Sequence, residues 1–193
     1  MFQAVSAKKI SLTRLAYYRK QSILVHLYKC FVRPRMEFAV SAWNPWLEKD
    51  IEIMEKVQQR AIRAMTDVRG NSYEEKLERI GLTTLKERRV RGDLIETFKV
   101  LKGFDNVNRD EWFDIRNGEE ARPTRANTRI EEGVEIRRND VLYKPKTRTE
   151  LRSNFFTVRI VRMWNELPDE IKDAKTVTAF KSMYDRHVKD ANV

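Results

Sequence analysis

The chain has 193 residues and a formal net charge of +10, with 35% charged and 41% apolar side chains, four of them Trp. That is one domain, or one and a fraction, with enough apolar material for a core and a charge that favours a polyanionic partner. Nucleic acid fits better than a membrane, because no apolar run approaches the roughly 20 residues that span a bilayer.

Residues 1–20 read as a helical lead-in with Ile10, Leu12, Leu15 and Tyr18 as core positions. Lys8, Lys9 and Arg14 interrupt the apolar run that a secretory signal needs, whereas the basic, acid-free character would also suit a mitochondrial presequence. Leu24, Leu27, Tyr28 and Phe31 mark a helix that ends or kinks at Pro34, where a donor is lost and the preceding turn is crowded. Cys30, the single cysteine, excludes an internal disulfide, fits a reducing intracellular compartment (nuclear or cytoplasmic) and is expected to be a buried, inert thiol. Trp43-Asn44-Pro45-Trp46 reads as a turn, or a helix end, that carries two aromatics into the core.

The strongest amphipathic pattern follows. Leu47, Met54, Val57, Ala61, Ala64, Met65 and Val68 share one face of a helix, and Lys49, Lys56, Arg60 and Arg63 share the opposite one. Such a basic strip is either a solvated face beside a core stripe or a row of phosphate contacts. Ser72-Tyr73-Glu74-Glu75 and Thr84-Leu85-Lys86-Glu87 are two capping boxes. The helices they open end at Gly81 and Gly103, each suited to a left-handed cap. Gly92 within the second helix suggests a close approach by another helix or a phosphate. Residues 104–147 are polar, with a short helix expected near Asp110–Ile115 and a small hairpin near Glu132-Gly133. Lys144-Pro145-Lys146-Thr147-Arg148-Thr149 is a basic extended lead into a helix over residues 150–166, apolar on two sides, and a last helix covers residues 177–188 through Val177, Phe180 and Tyr184.

Three sets of residues carry a resemblance. The first is Leu27-Tyr28-Lys29, Val32-Arg33-Pro34, Glu37-Phe38-Ala39, Trp43-Asn44-Pro45, Asp50-Ile51 and Glu55-Lys56-Val57-Gln58. The second is Tyr73-Glu74-Glu75, Leu77, Leu82, Leu85, Arg88-Arg89 and Arg91-Gly92-Asp93-Leu94-Ile95. The third is Phe155-Phe156, Arg159-Ile160-Val161, Trp164-Asn165 and Leu167-Pro168. In order and spacing these resemble the region after the catalytic palm in reverse transcriptases of non-LTR retrotransposons of the jockey and chicken-repeat type. The resemblance covers residues 22–190 and is weakest at 104–147. It implies a thumb-like element that holds a template–primer duplex, an RNA–DNA hybrid or DNA, through its phosphates, beside an upstream palm.

The expected fold is mainly α: a thumb-like helical bundle over 1–103, a polar connection over 104–147 with room for a short β-hairpin, and a smaller helical unit over 148–193. The candidate nucleic-acid-binding residues are Arg33, Arg35, Lys49, Lys56, Arg60, Arg63, Arg88 and Arg89. No catalytic, metal or cofactor residues are expected. A polymerase holds magnesium through carboxylates that usually include an adjacent Asp pair, and the chain has no Asp-Asp. Mg2+ therefore belongs to a palm outside this sequence, and the chain alone is expected to be inactive. Glu74, Glu75 and Asp93 read as caps and surface charges, and two His with one Cys make no ordinary zinc site. The competing expectation is a non-enzymatic helical module that binds nucleic acid or protein, such as a domesticated remnant, with the Phe155–Leu167 helix as a partner surface.

Overall fold

A helix opens the structure, a computed structural model that describes residues 21–65, 72–115 and 141–191. The expected lead-in at 1–20 and hairpin at Glu132-Gly133 lie outside those residues. Among the described residues the architecture is mainly helical with one short antiparallel strand pair. The chain divides after Gly92 into two compact units. This point lies within a helix, eleven residues before Gly103, where the sequence places the end of the bundle.

In the first unit, α1 (Gln21–Leu27) continues through a π-helical turn, Tyr28–Val32, into α2 (Arg33–Met36). Pro34 donates no hydrogen bond and crowds the turn before it. The backbone adapts by widening: the Arg33 N–H reaches back to the Tyr28 carbonyl. The helix thus passes Pro34 and stops at Glu37 instead. Ala39, left-handed at φ 50°, turns the chain into α3 (Val40–Trp43).

The long amphipathic helix, α4 (Glu48–Met65), buries Met54, Gln58, Ile62 and Met65. The core stripe is rotated from the expected one: Ile62 is buried, while Leu47 and Ala64 are exposed. Both capping boxes form as written. Ser72 Oγ accepts from Glu75 N–H at 3.2 Å and Glu75 accepts from Ser72 N–H at 3.3 Å, opening α5 (Tyr73–Arg79). Thr84 and Glu87 exchange the same pair at 3.1 Å each, at the start of α6 (Leu85–Leu101). Gly81 and Gly103 are left-handed, at φ 63° and 71°. Gly92 marks no close approach among the described residues, since a Cβ there would meet nothing within 4 Å. Leu24, Tyr28, Ile62, Leu77 and Leu82 lie in one apolar cluster, and Met36, Met54 and Leu85 in another.

The second unit takes the rest of α6 and adds α7 (Arg109–Trp112), β1 (Asp114–Ile115), β2 (Leu142–Tyr143), α8 (Glu150–Ser153), α9 (Phe156–Glu166), α10 (Asp169–Lys172) and α11 (Val177–Ala191). β1 and β2 pair antiparallel, Asp114 opposite Tyr143 and Ile115 opposite Leu142. Phe98 on α6 stacks on Phe180 on α11 with ring centroids 4.4 Å apart, which is why this half of α6 belongs here. Trp164 stacks on the same Phe180 at 6.2 Å and is fully buried. The helix expected over 150–166 is two helices, because Asn154 and Phe155 leave helical geometry and Phe155 is extended at φ −65°, ψ 145°. Among the described residues no helix is long and apolar enough to cross a membrane.

Candidate nucleic-acid interface

α4 sets four cations on one exposed face. Lys49, Lys56, Arg60 and Arg63 all point away from the side that buries Met54, Gln58 and Ile62. At 1.5 Å rise per residue the row extends about 21 Å. Lys56 bonds Glu52 at 3.1 Å, but both side chains are more than half exposed, so this pair yields readily to a stronger anion. Arg35 on α2 is also exposed.

The opposite side of α4 is held by a polar network. Gln58, 1% exposed, accepts from Tyr28 Oη at 2.6 Å and donates to Tyr73 Oη at 2.9 Å and to the Thr83 carbonyl at 3.0 Å. Tyr73 donates in turn to Glu55 at 3.1 Å. The other oxygen of Glu55 accepts from the backbone N–H groups of Leu85 at 2.8 Å and Lys86 at 3.3 Å. With Thr84 Oγ1 serving Glu87, every free amide in the first turn of α6 has an acceptor. Burial pushes the Tyr28 and Tyr73 hydroxyls well above the ordinary phenol range, so both stay protonated and donate.

Three of the expected phosphate contacts are otherwise engaged. Arg88 meets Glu37 through two bonds of 2.8 Å, and Arg33 meets the same carboxylate at 2.8 Å. Burial alone would raise the Glu37 pKa, but hydrogen bonds from Arg88 and Arg33 hold it below its ordinary value. One carboxylate shared by two guanidiniums leaves net positive charge here, yet the donor forks face inward. Arg89 is 2% exposed, with Nη1 3.6 Å from the Met54 sulfur, and cannot reach a duplex. The signal for the Arg33–Glu37 pair was present, four residues apart on a helix; nothing local announces Arg88 as its third member.

Other expectations also change. Trp43 and Trp46 are 39% and 42% exposed, so neither is a core anchor; the indole N–H of Trp43 bonds the Phe38 carbonyl. Cys30 is an exposed thiol, 3.6 Å from Nε2 of His26 one turn earlier. Asp93, expected at the surface, is 2% exposed and takes two bonds from Arg159 at 2.9 and 3.0 Å.

The Arg159–Asp93 pair gives the Phe155–Pro168 stretch structural roles. Phe156 and Trp164 fill the core, Arg159 neutralises Asp93, and Asn165 clamps β2. Its Oδ1 accepts from Leu142 N–H at 3.0 Å and its Nδ2 donates to the Leu142 carbonyl at 2.8 Å. The side-chain amide thereby acts as a further strand partner. No group of three or more His, Cys, Asp or Glu that could hold a metal ion occurs among the described residues. Comparisons with protein-family models, with curated proteins and with solved structures find no match to this chain.

Proposed function

We propose that this chain is a thumb-like, post-palm portion of a non-LTR retrotransposon reverse transcriptase, and that it grips a template–primer duplex through α4. The observation that carries the reading is the row Lys49, Lys56, Arg60 and Arg63, exposed on one face of a helix whose other face is fixed by Glu55 and Gln58. The resemblance over residues 22–190 supplies the family. Duplex DNA carries one charge per about 1.7 Å of axis, counting both strands, so a 21 Å row spans a length of duplex with roughly a dozen phosphates, of which it faces only a part, and it needs no base-specific contact. Arg35 extends the cationic surface, whereas Arg33, Arg88 and Arg89 serve the fold. The chain contributes binding and not chemistry; polymerisation and its Mg2+ belong to the palm.

Fluorescence anisotropy with a labelled RNA–DNA hybrid tests this on the full chain. Affinity should fall steeply between low and moderate salt. Arg60→Gln/Arg63→Gln should weaken binding and lower the slope of log K against log salt by about 1.8, at roughly 0.9 for each phosphate no longer neutralised. Helicity should be unchanged, because both side chains are exposed. Unaltered affinity in that variant would reject the duplex grip and favour the competing protein-interaction module. The family reading is tested separately: the genomic reading frame upstream should encode an aromatic-x-Asp-Asp box.

A further inference from the structure

The second unit carries a cationic segment that the duplex reading leaves unused. Between Val141 and Phe155 lie Lys144, Lys146, Arg148 and Arg152, against a single acid, Glu150. All four cations are exposed, and none makes an ion pair among the described residues. The segment is fastened at both ends. Asn165 clamps Leu142 on one side, and on the other Thr149 Oγ1 accepts from Arg152 N–H at 3.3 Å to cap α8. Pro145 fixes its own φ and biases Lys144 towards an extended backbone. Residues 144–147 follow β2 without regular structure before a bend at 148–149; where such a chain is extended, at about 3.3 Å per residue, alternate side chains fall roughly 6.6 Å apart, comparable with successive phosphates on a stretched single strand. Beside them the Arg152 guanidinium stands 5.1 Å from the centroid of the Phe155 ring, which is 45% exposed.

We infer that Lys144–Phe155 is a second nucleic-acid site, specific for a single strand: Lys144, Lys146 and Arg148 track the phosphates, and the Arg152–Phe155 pair stacks a base. The two parts together favour a single strand over other polyanions. A membrane surface or an acidic peptide would use the charges alone, and a duplex keeps its base faces covered. An exposed aromatic beside a cationic track is the arrangement that takes unpaired bases. This site does not depend on the role of α4.

The test uses the full chain, labelled oligo(dT), an abasic strand of equal length, an RNA–DNA hybrid, polyglutamate and phosphatidylserine vesicles. Lys146→Gln/Arg148→Gln should weaken oligo(dT) binding and lower its salt slope by about 1.4, at roughly 0.7 for each phosphate of a single strand. Phe155→Ala should cost roughly tenfold on oligo(dT), within the range for one stacked base, and nothing on the abasic strand. The preference for oligo(dT) over the abasic strand should therefore shrink or disappear in that variant. Circular dichroism should match the parent protein throughout, as all these side chains are exposed. Three results would each overturn the inference: oligo(dT) binding unchanged by the double substitution; equal binding of polyglutamate or vesicles; or loss of oligo(dT) binding only in Arg60→Gln/Arg63→Gln, which would assign it to α4. Failure of the hybrid alone would bear on α4 and leave this site standing.

Discussion

Replacing Gln58 by Leu isolates what the polar network contributes. Three hydrogen bonds disappear, to Tyr28, Tyr73 and Thr83. At about 1 kcal/mol net each they account for roughly 3 kcal/mol. The Tyr28 hydroxyl, on a residue 0% exposed, is also left without an acceptor, adding about 1–3 kcal/mol. Added apolar burial by Leu returns about 1–2 kcal/mol, so the net loss should be about 2–5 kcal/mol. Tyr28→Phe alone takes the donor from the buried Gln58 Oε1 and should cost about 1–3 kcal/mol. In the double variant the stranded hydroxyl is absent, so the two changes should couple by about 1–2 kcal/mol. Urea unfolding followed by far-UV circular dichroism measures all three variants. A loss below about 1 kcal/mol for Gln58→Leu, with no coupling to Tyr28→Phe, would refute the claim that these groups satisfy one another.

In the second unit, Arg159→Met removes both Arg159 bonds to the buried Asp93 carboxylate and should cost about 3–5 kcal/mol, whereas adding Asp93→Leu should recover much of it; the same urea assay decides. Asn165→Ala frees the N–H and carbonyl of Leu142 and should cost about 1–3 kcal/mol, with faster hydrogen exchange at the Leu142 amide as the local readout. Glu37 makes stability pH-dependent. Its folded pKa lies below the ordinary 4.5, so its contribution is fully present above that value and is lost as pH falls through the lower folded pKa. Unfolding titrated below pH 4.5 should show this loss, and Glu37→Gln should flatten that part of the profile. Gly81→Ala forces a Cβ into a left-handed backbone and should cost about 1 kcal/mol by thermal unfolding.

What was legible in the sequence was local. Ser72–Glu75, Thr84–Glu87, Gly81 and Gly103 signal helix ends through contacts spanning a few residues, and all four act as read. The basic face of α4 was legible too, because the period of a helix fixes which side chains oppose its core. The core stripe was less so: a side chain as small as Ala64 can lie on either side, and packing by Ile62 decides the rotation. The misread residues depend on partners far along the chain. Arg88 is committed by Glu37, 51 residues away, and Arg159 by Asp93, 66 residues away. No window over the sequence contains either pair. Trp43 and Trp46 show the converse: size and apolarity argue for burial, yet their turn leaves both partly in solvent.

Glu55 has a further consequence. The amides of Leu85 and Lys86 are closed by a side chain from a different helix, 30 and 31 residues earlier, and not by their own cap. Their hydrogen exchange therefore reads out the seating of α4 against the start of α6. Lys56, the next residue along, faces solvent among the cations. A polyanion that steadies that row would slow exchange at two amides it never touches, making Leu85 and Lys86 a built-in gauge of occupancy.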